Sequence, residues 1–185
     1  MNGSYRGAAG VYCAAGGKVP FEKTSVRLWK RLEREERLAA ATAFWAEPPR
    51  EVVGTAVEKI AQARRMRPQT VPKMSDAERS GALAGLLDPG EPLAASLLVS
   101  LHLSRRRPLL GAFLDALGLP HQEGVLGEEP DAGVPVTREA ARAAVEALRA
   151  AHPPRDVAVY LNTLWLQDPE RWSALADPDL ELPEP

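Results

Sequence analysis

The sequence predicts an all-α protein, a compact irregular bundle of seven or eight helices with flexible ends. Three observations lead there. Apolar side chains recur at spacings of three and four in window after window, the period of a helix face. Proline or glycine closes most of those windows. No stretch sustains the alternation of a half-buried strand. The 185 residues are divided into a disordered segment over 1–20, a helical domain over 21–176 and an acidic, proline-bearing tail over 177–185.

The bundle is organised around residues 91–120. Leu93, Leu97, Leu98 and Leu101 share one helix face, and Val99, Leu103, Ala94 and Ala95 widen it, so this helix is expected to be buried on most sides. Pro108 stops it, because proline lacks an N–H and clashes with the preceding turn. Pro108 then suits the first turn of a second helix carrying Leu109, Leu110, Phe113, Leu114 and Leu117. Gly118, Leu119 and Pro120 close that helix.

Upstream, residues 25–46 hold two apolar groups, Leu28, Trp29 and Leu32, then Leu38, Ala41, Phe44 and Trp45. The charged run 33–37 shifts the phase between them, which fits one helix with a rotating face or two with a break near Glu33. Thr24 or Ser25 is the cap, and Pro48 and Pro49 end the segment. Residues 50–65 form the next helix, with Val53, Val57 and Ile60 inward. Residues 69–74 read as a loop or short extended segment. Ser75 and Glu78 form a capping box before a short helix that carries Leu83, Leu86 and Leu87 to the core.

Residues 121–136 read as the longest loop. Thr137 caps a helix with Ala141, Val145, Leu148 and Ala151 inward. After Pro153 and Pro154, the spacing of Val157, Tyr160, Leu161, Leu164 and Trp165 gives another helix. Asp168 and Pro169 open a last short helix through Trp172 and Leu175. Arg65-x-Arg67-Pro68 and Arg105-x-Arg107-Pro108 lie 40 residues apart, so a stack of degenerate two-helix repeats is the alternative architecture.

The formal net charge is −2, which gives no global bias toward nucleic acid. The charge is uneven: residues 1–67 carry 13 basic and 7 acidic side chains, and residues 68–185 carry 10 and 18. The wealth of Ala, Leu, Arg and Pro, with little Lys, Ile or Asn, is a bacterial-like, GC-rich bias. The single Cys13 excludes an internal disulfide and fits a reducing compartment. No apolar run reaches the ~20 residues of a membrane span. The expected location is the cytoplasm, with no membrane association.

No catalytic motif is present. No serine stands in a G-x-S-x-G elbow. Gly16-Gly17-Lys18 lacks the first glycine and the hydroxyl residue of a phosphate loop. His102, His121 and His152 lack metal-ligand spacing. No catalytic residue, metal or cofactor is therefore expected.

The sharpest features are two arginine clusters at helix ends: Arg64, Arg65 and Arg67, and Arg105, Arg106 and Arg107. The leading functional expectation is a protein-interaction module, an adaptor or assembly factor. Its contact residues would be Arg105–Arg107, the acidic Glu123, Glu128, Glu129 and Asp131, and Trp172. The first alternative is a phosphate or nucleic-acid binder using both clusters, because guanidinium forks match phosphate oxygens. The second is a small-ligand or enzymatic bundle, which requires a pocket holding His102 with Tyr160 or a carboxylate nearby.

Overall fold

The computed structural model describes residues 21–127, 136–177 and 180. Expectations for residues 1–20, for Glu128, Glu129 and Asp131, and for most of the acidic tail lie outside them. Among the described residues the chain is an all-α bundle of eight α-helices with one two-stranded hairpin.

The segment 25–46 is two helices, α1 (Ser25–Arg31) and α2 (Arg34–Ala46). The break falls at Leu32 and Glu33, because Glu33 caps α2 in a reciprocal box with Glu36. Arg37 ties the break down by donating to Leu32 O at 3.0 Å and to Ala84 O at 3.2 Å. Thr24 caps α1. Glu91, distant in sequence, accepts the Ser25 and Val26 N–H groups at 2.8 and 3.2 Å, so two orphan donors of α1 find a carboxylate.

α3 (Arg50–Arg64) turns a different face inward from the expected one. Val52, Ala56, Ile60 and Ala61 are buried, and Val53 and Val57 flank them. Residues 69–74 are not irregular: Pro68–Lys73 is a 3-10 helix that buries Val71. The Ser75–Glu78 capping box is present and opens α4 (Asp76–Ala84). Leu83 is buried, but Leu87 lies past the helix end and is exposed. Leu38 on α2 is exposed as well, contrary to its expected core role.

α5 (Glu91–Arg105) and α6 (Arg107–Ala116) meet at Arg106, and Pro108 occupies the first turn of α6. Gly118 at φ +66 closes α6, with Leu119 N–H returning to Leu114 O at 2.9 Å. Arg65 makes the same closure after α3, at φ +53 and without the benefit of glycine.

The expected loop after α6 begins as a β-hairpin, a correction. β1 (His121–Gln122) pairs antiparallel with β2 (Val125–Leu126). Glu123 at φ +50 and Gly124 at φ +82 form the two-residue turn, the left-handed pair that matches strand twist. Two-residue strands are too short for a period-two signal.

α7 (Arg138–Ala151) buries Ala141, Ala144, Val145 and Leu148, while Ala151 is exposed. α8 (Pro154–Gln167) is buried on every side from Val157 to Thr163. The last short helix is a 3-10 turn, Ser173–Ala176. Leu180 packs into the core beyond it.

Apolar side chains gather in two clusters. One joins α1 to α5 and takes Val159 from α8; the other joins Phe21, α6, α7 and the C-terminal segment around Val157, Tyr160 and Leu161. α8 therefore links both. α1 packs on α8 and α5 touches α1, α2, α3 and α8, whereas a solenoid repeat touches only its neighbours. No helix of the described residues is long and apolar enough to cross a membrane.

Candidate functional site

The three arginines of the α5–α6 junction do three different things. Arg106 is buried, 8% exposed, and its Nη2 donates to Glu36 Oε1 and Asp156 Oδ1, both at 2.7 Å. It pins α2 and α8 to the junction and is not a surface contact residue. Arg107 donates through Nε to Leu103 O at 2.7 Å and pairs with Glu123 at the hairpin turn. The basic and acidic surfaces expected to face outside partners thus meet each other at this point. Arg105 alone of the three is exposed without such a tie, on the rim of a cleft with Glu33, Glu35 and Glu36.

Arg155 closes the ion-pair network. It reaches Glu36 Oε2 at 3.2 Å and Arg31 O at 2.9 Å. Burial would raise the Glu36 pKa, but the Glu33 N–H, Arg155 and Arg106 outweigh it and hold the carboxyl below its ordinary value.

Arg64, Arg65 and Arg67 are exposed. Lys59, just before them, has its Cε 4.0 Å from a Cβ built on Gly90, the residue that opens α5. Arg105 lies at the other end of α5, about 22 Å away at 1.5 Å per residue. Arg106 is buried and paired and Arg107 pairs with Glu123, so the second cluster offers chiefly Arg105 to an outside anion.

The tryptophans are chiefly packing groups. Trp172 is 3% exposed, set against Phe113, so it is not the surface anchor expected of it. Trp29 is fully buried and donates to Leu86 O at 2.7 Å. Trp165 stacks on Phe21, and Trp45 lies under Arg79.

The distinctive chemistry is around His102. This ring is 3% exposed on α5, edge-on to Tyr160 at 5.4 Å between centroids. Its Nε2 lies 3.0 Å from Thr163 Oγ1. Thr163 already gives its own proton to Val159 O at 2.8 Å. With that proton on Val159 O, the threonine oxygen accepts from His102 Nε2–H and Nδ1 is the acceptor nitrogen of the ring. Nδ1 is buried and has no hydrogen-bond partner among the described residues. Burial, aided by the charge of Arg106, pushes the His102 pKa down to about 3, so the ring is neutral at ordinary pH. Burial likewise raises the Tyr160 phenol.

Beside this ring is a predominantly apolar cleft of about 210 Å³. His102, Tyr160, Thr163, Gln167 and Trp172 are its polar-bearing walls, α6 contributes Leu110 and Leu114, and the hairpin contributes Gly124, Val125 and Leu126. The hairpin is held there by local chemistry. Gly124 N–H donates to His121 Nδ1 at 3.1 Å, which leaves the other ring nitrogen to donate to Asp115 Oδ1 at 3.1 Å. A Cβ at Gly124 would lie 2.5 Å from Leu110 Cβ, so only glycine lets the turn seat on α6. Sequence reasoning identified His102 and Tyr160 but missed Thr163, Gly124 and the hairpin. The Glu123-Gly124 pair was the available signal.

No protein-family model, curated protein or solved structure matches this chain.

Proposed function

We propose that this protein is a small-ligand-binding helical bundle, with the cleft between α5, α6, α8 and the hairpin as its binding site. One observation carries the reading: an apolar cleft of about 210 Å³ is lined by a few polar side chains, His102, Tyr160, Thr163 and Gln167, among leucines. An apolar wall with a few convergent polar groups is the usual composition of a ligand site.

The test is a fragment screen by ligand-observed NMR on the intact chain and on Val99→Phe, which narrows the cleft from α5. Fragments that bind the protein and are lost in the folded variant support the reading. A screen with no binder, or with binders indifferent to Val99→Phe, overturns it.

The interaction-module reading retains one surface. Exposed Leu38, with Ala39, Thr42, Ala43, Ala46 and Arg105, lines a groove of about 440 Å³ between α2 and the end of α5. Affinity capture from lysate with nuclease, repeated with Leu38→Glu, tests it. A stoichiometric protein lost in the variant would establish that surface.

A further inference from the structure

With the cleft read as a ligand site, the unused donors on its wall restrict what can occupy it. Tyr160 and Trp172 both line the cleft, and each is only 3% exposed. Neither Tyr160 Oη nor Trp172 Nε1 has a hydrogen-bond partner among the described residues. Neither atom is sealed from solvent, as Trp45 Nε1 and His102 Nδ1 are. Each is therefore a reachable polar atom on an otherwise buried side chain. Packing fixes both rings. Tyr160 is held edge-on by His102 and Phe113, at 5.4 and 5.6 Å between centroids, and Phe113 lies 5.7 Å from Trp172. One ring of α6 thus lies against both donor-bearing side chains. Gln167 adds an amide at the exposed rim.

We propose, resting on that reading, that the cleft takes a compact neutral carbonyl compound with an apolar body, the class of ketones, esters and tertiary amides, and that Tyr160 Oη–H and Trp172 Nε1–H are the donors that hold its oxygen. An indole N–H can only donate, so an acceptor is the one polar group that satisfies it. A carbonyl oxygen has two lone pairs and can take both donors. A hydrocarbon of the same shape suits the leucines but displaces water from both donors and gives nothing back. A carboxylate accepts the same bonds, yet no charged side chain lines the cleft to offset its lost hydration. Size fits as well: the cleft of about 210 Å³ exceeds the ~150 Å³ apolar cavity that holds benzene, which leaves room for one substituted ring.

Acetophenone, α-methylstyrene and benzoate are suitable probes. The first two share a shape and differ in C=O against C=CH2, and the third carries the charge. Titration of the full chain at neutral pH, read from methyl shifts of Leu110, Leu114 and Val125, should rank acetophenone about tenfold above α-methylstyrene, with benzoate the weakest. The Trp172 indole N–H resonance should move downfield with acetophenone and not with α-methylstyrene. Tyr160→Phe and Trp172→Phe each keep an aromatic ring and remove one donor, so each should narrow the preference, and the double variant should abolish it. α-Methylstyrene within twofold of acetophenone would overturn the acceptor preference and leave the cleft as a ligand site. A preference that is unchanged in both single variants would overturn the assignment of the donors. An indole resonance in the unmodified chain that responds alike to both probes would do the same, even where neither variant folds. Benzoate above acetophenone would overturn the neutral class. Failure of all three probes to bind would overturn the cleft reading and this inference with it.

Discussion

Replacement of Arg106 by methionine separates an internal role from a surface role. Methionine keeps most of the aliphatic stem and removes the charge. The guanidinium makes two charge-assisted hydrogen bonds at 2.7 Å, to Glu36 and Asp156. Removing one partner of a fully buried ion pair costs roughly 3–5 kcal/mol. The structure lowers that figure for three reasons. Asp156 is 34% exposed and can regain water. Glu36 keeps Arg155 and the Glu33 N–H. Arg106 Nη1 is buried without a partner among the described residues, so the native arrangement already carries a desolvation cost. The expected loss is about 2–3 kcal/mol, which for a domain of this size lowers Tm by roughly 4–12 °C. Urea denaturation followed by circular dichroism measures it.

The same substitution has a pH signature. Glu36 has a folded pKa below its ordinary value of 4.5. It therefore contributes stability that is present above 4.5 and is lost as pH falls through the folded pKa. Arg106→Met weakens the attraction that holds this carboxyl ionised, so the acid-side loss should become shallower. A stability loss under about 0.5 kcal/mol, the range of ordinary surface substitutions, with an unchanged acid limb, would refute the pinning role and return Arg106 to the surface.

Three further outcomes follow from single positions. Arg65→Gly should stabilise the protein by about 0.5–1 kcal/mol in urea denaturation, because Arg65 occupies φ +53 in a closure that glycine makes without strain. Gly124→Ala should destabilise by about 1–3 kcal/mol or release the hairpin, since its Cβ meets Leu110 Cβ and its φ is +82; amide exchange over 121–126 distinguishes the two. Stability should fall by up to about 1.4 kcal/mol per pH unit as pH drops from 6.5 toward 3, because unfolded His102 takes a proton that the folded ring, at about 3, refuses. His102→Phe should remove that slope.

Helix positions were readable because their causes are local. Leu93, Leu97, Leu98 and Leu101 follow one face, Ser75 and Glu78 cap each other within one turn, and Gly118 adopts the left-handed closure that its own sequence requires. The misreadings have a common origin. Leu38 and Leu87 sit at helical spacings that would suit a core, yet no element of the described residues covers them. Arg106 and Arg107 are alike in sequence, but only the placement of Glu36, Asp156 and Glu123 decides what each one meets. His102 and Tyr160 were legible as a pair to test, whereas Thr163 gave no sign, because a threonine in a helix matters here only through the ring lying 3.0 Å away.

The sequence by itself determined that the chain is helical, where most helices begin and end, and which residues are apolar enough to be buried. These depend on backbone dihedrals, capping and periodicity, all of which act within a few residues. Only the tertiary structure decided the rotation of each helix, the partners of each charge, the seating of the hairpin and the proton position on His102. Those depend on groups far apart in the chain, such as Arg155 and Arg31, 124 residues apart. Local spacing carries no information about which distant face will be opposite.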